Sequence, residues 1–317
     1  MSVEVKQNYV QYVNQALRKR FEGTKSVIFG QNIVAGSRIS GLGAGLETLD
    51  SVTAINTPNV ENSLMGYGLG LMLSGTDSAF LMKQHDFALL GLDQLTNTVN
   101  VARTLNPRAS FVVFMVVVDS GYEGPQASLN NLDEFASLSR SPIYFLNTKK
   151  NIDFAFEQSK LPGLHFMVLS QSSMKKELID FGKFGTCIQN GELVKKEVGN
   201  QHLIIYFGLD LSYLLNVQEE FSRNRIEMDI LVINRLERSL VEGTQPLDHY
   251  KSVVIVNQSK SEVSYAHRLA FEVAMIVPVT YISRVPSPNW GHVTEDLPEI
   301  SPEEVVRRWK DNSHAEE

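Results

Sequence analysis

One carboxylate heads a long uncharged stretch. In INTPNVENSLMGYGLGLMLSG (Ile55–Gly75) only Glu61 is charged at neutral pH, and the next charge along the chain is Asp77. Thr57-Pro58 breaks an extended run just before it. The run behind it is apolar on all faces and is spaced by Gly66, Gly68 and Gly70, which lower helix propensity without local benefit. That pattern predicts a helix in an interior or interface, with another surface close to its glycines, where an unpaired carboxylate is costly. A simpler reading also exists, because an acid in a first helical turn is favoured by the helix dipole. The position after a strand and loop is where α/β folds place their sites, and this favours chemistry.

Other groups that could do chemistry are sparse. GLGAGLETLD (Gly41–Asp50) has G-x-G-x-G spacing and follows a loop, not the strand that a dinucleotide fingerprint requires, so it reads as a turn or a loop serving another site. There is no P-loop, H-E-x-x-H or G-x-S-x-G, and the 7 histidines are scattered, so no metal site built by this chain alone is expected. The single cysteine, Cys187, excludes an intrachain disulfide and reads as a small hydrophobe, not a nucleophile.

The elements that must position Glu61 follow from periodicity. Val10, Val13, Leu17 and Phe21 repeat at helical spacing. SVIFGQNI, SAFLM, ASFVVFMVVV, PIYFLN and HFMVLS read as strands, with a helix from about Phe87 to Ala102. FGKFGTCIQNGELVKKEVGN reads as two short strands about an Asn-Gly turn. A second series follows: strands in HLIIYFG, EMDILVIN, KSVVIVN and VPVTYIS, with helices in LSYLLNVQEEFSRN and EVSYAHRLAFEVA. Strands alternating with helices predict mostly parallel sheets, hence two α/β doubly wound domains of unequal size. The expected boundaries are 1–182, a linker hairpin at 183–198, and a smaller domain at 199–317. The tail KDNSHAEE reads as frayed.

A chain of 317 residues with 43% hydrophobic and 21% charged residues can bury sizeable cores. A net charge of −7 and the absence of a dense basic patch argue against nucleic acid; the basic cluster in ALRKRF reads as a solvated helix end. The opening residues lack the apolar core of a signal peptide, and no apolar run is long enough to span a bilayer, so a cytoplasmic protein that touches no membrane is expected.

With those elements in place, the stretch from Ile55 and the following DFALLGLDQLTN (Asp86–Asn97) resemble the thiamine-diphosphate enzymes of the transketolase type. The family pattern T-P-x-x-E-x-x-x-x-G-x-x-x-G, then D-F-x-x-x-x-x-D-Q, is filled by Thr57, Pro58, Glu61, Gly66, Gly70, Asp86, Phe87, Asp93 and Gln94. The likeness is to transketolase C-terminal halves and to β subunits of 2-oxoacid dehydrogenase decarboxylase components, and it extends over nearly the whole chain. It implies a pyrimidine-binding domain followed by a transketolase C-terminal-like domain. It also implies that Glu61 shares a proton with the ring nitrogen of the cofactor's aminopyrimidine, a role suited to a desolvated carboxyl. Phe87 is the expected stacking ring, with Phe80 second. These enzymes hold diphosphate and Mg²⁺ through a G-D-G motif in another domain, which this sequence lacks. The resemblance therefore implies a split enzyme, with an α-type partner carrying that motif and the metal, and a heterotetramer built on a homodimeric β core.

Departures from the family bear on the substrate. YEGPQASLNN (Tyr122–Asn131) keeps Gly124-Pro125 but has Gln126, Ala127 and Ser128 where relatives carry a histidine. The acid expected after the first strand is replaced by Gln31 beside Asn32, which cannot ionise. His85 and Lys83 could supply a compensating acid or base, or be ordinary polar residues of a turn. Gln126, Ser128 and Asn130 are substrate-pocket candidates, or plain loop. The expected function is the pyrimidine-binding subunit of a carboligase or synthase. It would transfer a two-carbon or acyl unit from a 2-oxoacid or ketose to a carbonyl acceptor. The alternatives are a 2-oxoacid dehydrogenase β subunit, disfavoured by the missing histidine, and a non-catalytic scaffold paralogue.

Overall fold

The computed structural model describes residues 7–119, 132–188, 191–195, 200–236, 247–261, 263–284 and 299–313. Helix α1 (Tyr9–Phe21) buries Val10, Val13, Leu17 and Phe21 on one face, and Asn8 caps its start by accepting from Gln11 N at 3.3 Å. There follow β1 (Ser26–Gly30), β2 (Val52–Asn56), α2 (Glu61–Ser74), β3 (Asp77–Met82), α3 (Val99–Thr104), β4 (Ser110–Val117), α4 (Leu132–Ser139), β5 (Ile143–Phe145), α5 (Lys149–Gln158) and β6 (Gly163–Ser170). These strands form a parallel sheet in the order β5-β6-β4-β3-β1-β2. Central β4 is buried along its whole length, which explains its unbroken apolar run.

The chain then forms a hairpin from β7 (Gly185–Ile188) and β8 (Gly191–Val194). A second series runs through β9 (His202–Phe207), α6 (Leu211–Arg223), β10 (Asp229–Ile233), β11 (Arg235–Leu236), β12 (Ser252–Asn257), α7 (Tyr265–Ala274), β13 (Val279–Ser283) and α8 (Pro302–Ser313). The second sheet is ordered β13-β12-β9-β10-β8-β7, parallel except for the hairpin. Strand β11 leaves it and pairs antiparallel with β5 on the edge of the first sheet. The two α/β layers also share one apolar core, which runs from Phe29, Met65 and Phe111 to Ile205, Ile255 and Leu269. Asn147 Nδ2 donates from the first layer to Gly208 O at 3.0 Å and Ile233 O at 3.2 Å in the second.

Several local expectations change. The helix predicted over 87–102 is broken into a 3-10 stretch (His85–Gly91), a π-helical turn (Gln94–Thr98) and α3. The sequence QLTNTVN is rich in Thr and Asn, whose side chains compete for backbone groups; Thr96 Oγ1 donates to Leu92 O at 2.8 Å. The tail is helical through Ser313, because Val305, Val306 and Trp309 pack into the second layer and Trp309 Nε1 donates to Ser252 Oγ at 2.9 Å. Arg20 is not part of a solvated helix end. It is buried, and its Nη2 reaches Asp77 Oδ2 (2.9 Å), Ser110 Oγ (2.7 Å) and Ser159 O (3.0 Å). Cys187 is exposed, and its thiol is pushed up from the usual range by partial burial and then by the Glu192 carboxylate, the reverse of a nucleophile's activation. No described helix is long and apolar enough to cross a membrane.

Candidate active site at the strand ends

Parallel β1, β2 and β3 end at one edge of the first sheet, and the predicted residues lie just beyond them. Gln31 follows β1, Lys83 follows β3, and Glu61 opens α2 after the Thr57–Val60 turn. Gly30 is required at the end of β1: its φ is +154°, and a Cβ there would lie 2.3 Å from Leu81 O on β3. The following loop is fixed by Asn56, whose Oδ1 accepts from Ile33 N at 2.8 Å and Val34 N at 3.1 Å.

Glu61 is 7% exposed. It sits in the first turn of α2, whose start has no side-chain cap, so the acid lies at the positive end of the helix dipole. It lines a small cleft with Gln31, Pro58, Leu64, Phe80, Lys83 and Phe87, among others. The sheet edge thus brings together five of the residues singled out from sequence. Phe80 is nearly buried and already stacked on Phe29, with centroids 5.3 Å apart. Phe87 is half-buried and has no ring neighbour among the described residues, so it is the ring with a face to offer.

Two candidates fall outside the cleft. His85 is fully buried, 3.4 Å from Asp86 Oδ2 through its Nδ1 and edge-on to Phe135, so in this arrangement it has no access to a substrate in the cleft. Asn32 is exposed, in left-handed backbone (φ 56°), and does not line the cleft. Gln126, Ser128 and Asn130 lie outside the described residues. Met82 and Asn59 line the cleft and were not singled out. Met82 could have been, since it shares a strand face with Phe80 at period two.

The α2 glycines divide by what they face. A Cβ on Gly68 would fall 2.1 Å from the Phe111 ring, so this glycine lets the helix lie against β4. Gly70 has nothing within 4 Å of where a Cβ would be, and Tyr67 (45%) and Leu73 (36%) are exposed on the helix. Gly91 lets the turn beyond β3 close on α2, since a Cβ there would lie 2.7 Å from Met65 Cγ. The cleft offers a buried carboxyl and an aromatic face, which suit a flat nitrogen heterocycle. No group of three or more His, Cys, Asp or Glu able to hold a metal occurs among the described residues.

No family model matches the sequence, and no curated protein matches it. Solved structures do match its fold. A split-gene transketolase chain, described as an inactive β4 tetramer, superposes with TM-score 0.69 at 11% identity, covering 96% of this chain and 98% of that one. Transketolase from Leishmania mexicana gives 0.65 at 13% identity, covering 96% of this chain and 45% of the other. A 2-oxoglutarate:ferredoxin oxidoreductase from Magnetococcus marinus gives 0.61 at 10%, covering 98% and 65%. The chain spans a little under half of the full transketolase and nearly all of the split-gene chain. The resemblance indicated by the Thr57–Gln94 motifs therefore holds at the level of architecture, and this protein has the transketolase-type two-layer α/β fold.

Proposed function

We propose that this chain is the pyrimidine-binding half of a split thiamine-diphosphate enzyme of the transketolase type, acting as a carboligase or synthase. On this reading the first layer, residues 1–182, carries the pyrimidine site, the 183–198 hairpin links it, and residues 199–317 form the C-terminal domain. The observation that carries it is the convergence of Glu61 and Phe87 in one cleft at the strand ends. Bound thiamine diphosphate supplies a carbanion-stabilising electron sink. Glu61 would share a proton with the ring nitrogen of the aminopyrimidine, from a position shielded from water. Phe87 stacks on the ring, and Leu64 and Met82 supply apolar walls. Lys83, which is exposed and lines the cleft, is assigned to meet a carboxylate or phosphate of a 2-oxoacid or ketose.

The diphosphate and Mg²⁺ are assigned to a G-D-G-bearing partner. Exposed Tyr67 and Leu73 on α2, with room at Gly70 for a close neighbour, support a subunit boundary there. The split-gene transketolase chain, matched over 98% of its length, supports the same division. The test is co-purification with the product of a neighbouring G-D-G reading frame, followed by calorimetric titration with thiamine diphosphate and Mg²⁺. Saturable binding by the complex and none by either chain alone is expected. A complex that forms but takes up no cofactor overturns the reading.

A further inference from the structure

A second and larger cavity, about 1050 Å³, opens between α4 of the first layer and the start of α7 in the second. Its size is that of a site for a small organic molecule, and such sites concentrate where domains meet. Three arginines from three different elements line it: Arg140 after α4, Arg235 on β11 and Arg268 on α7. The acids on its walls are engaged. Asp133 accepts from Ser259 Oγ at 2.7 Å and Tyr265 N at 2.8 Å, and Glu134 accepts from Ser261 Oγ at 2.6 Å. Arg268 shares one N–H with Glu272 Oε1 at 2.7 Å and keeps its remaining donors.

Among the described residues no carboxylate pairs with Arg140. Behind it, among the described residues, Arg103 donates only to neutral acceptors: Ser139 O (2.6 Å), Ser141 Oγ (2.5 Å) and Asn100 Oδ1 (2.9 Å). Arg103 is held below its ordinary value first by burial and then by the charge of Arg140. Arg140 also closes α4 in left-handed backbone (φ 50°), with its N–H on Ala136 O at 3.1 Å, a position that favours Gly or Asn. A guanidinium is therefore present here despite local backbone cost. The chain's net charge is −7, so this positive spot is a local construction and not part of a general basic field.

We propose that this groove binds a small phosphorylated organic molecule. The phosphoryl group meets the guanidinium forks of Arg140 and Arg268, a geometry that matches two phosphate oxygens per arginine. The organic part lies against Leu138, Pro142 and Val263 on the apolar lip. The site is independent of the thiamine cleft, so its success or failure is read separately from the cofactor titration.

The test is calorimetric titration of the full chain, without partner or thiamine diphosphate, using phenyl phosphate and inorganic phosphate as probes. Phenyl phosphate should bind saturably, one per chain, and tighter than inorganic phosphate because only it covers the apolar lip. Arg140→Asn, chosen because Asn tolerates left-handed backbone, should weaken it by roughly tenfold or more, as should Arg268→Gln. If Arg140→Asn loses its native circular dichroism, Arg268→Gln, at an exposed helix position, decides the question. Absence of phenyl phosphate binding, or undiminished binding in the folded arginine variants, overturns the site. Equal affinity for the two probes overturns the organic part of the ligand.

Discussion

Glu61 could have been only a helix-starting acid, and a substitution that keeps its shape separates the two readings. Glu61→Gln retains size and hydrogen bonding but cannot hold and return a proton. Turnover of the assembled complex should fall by about 10²–10⁴, the usual worth of a placed acid or base, while assembly on size exclusion stays intact. A merely dipole-favoured acid would leave turnover near wild type. Phe87 lines the cleft with no ring stacked on it among the described residues, whereas Phe80 is stacked on Phe29. Phe87→Ala should therefore weaken cofactor binding by about 1–2 kcal/mol, on the order of tenfold, in calorimetry of the complex; wild-type affinity would move the stacking role elsewhere. Glu61 stood out by its isolation in an uncharged run and Phe87 through the family resemblance, and both line the cleft at the strand ends. Spacing did not exclude His85, since the side on which a side chain leaves a turn depends on what packs there, in this case Asp86 and Phe135.

At the scale of elements, α2 shows why its apolar, glycine-rich sequence is not uniform in purpose. Gly68→Ala drives a Cβ into the Phe111 ring, and overpacking of this kind costs about 1–3 kcal/mol. Gly70→Ala meets open space in the single chain and gains helix propensity of up to about 1 kcal/mol. Thermal unfolding of the isolated chain should move down for the first variant and up for the second. If a partner occupies the Tyr67 face, Gly70→Ala should also weaken co-purification; equal shifts in both variants would refute the division of faces. The strand sequence was largely legible because parallel strands buried on both sides read as unbroken apolar runs, as in Ser110–Val117. The broken helix at 85–104 was not, because its interruptions depend on Gly91 closing against Met65 and on Thr96 bonding back to Leu92. Nor was β11, two residues long, whose pairing with β5 exists only once both layers are built.

The whole molecule depends on how the two layers are joined, and Asp133 is placed to report on it. Its carboxyl on α4 takes hydrogen bonds from Ser259 Oγ and from the Tyr265 N–H at the start of α7. Burial nonetheless outweighs these bonds and pushes it up to about 6. The folded state therefore holds a proton that the unfolded chain releases at an ordinary Asp value near 4, so stability falls as pH rises between those values. At 1.36 kcal/mol per unit, the loss from this group is at most about 3 kcal/mol, complete above pH 6 and absent below about pH 4. Other carboxylates titrate in the same range, so the comparison must be with a variant. Asp133→Asn keeps one acceptor and cannot ionise. Denaturant unfolding of both proteins should show wild type relatively more stable at pH 4.5 than at pH 7.5, with the difference shrinking or reversing as pH rises. A difference that stays constant across that range would mean that Asp133 does not titrate at the junction, and that the layers are held there without regard to its charge.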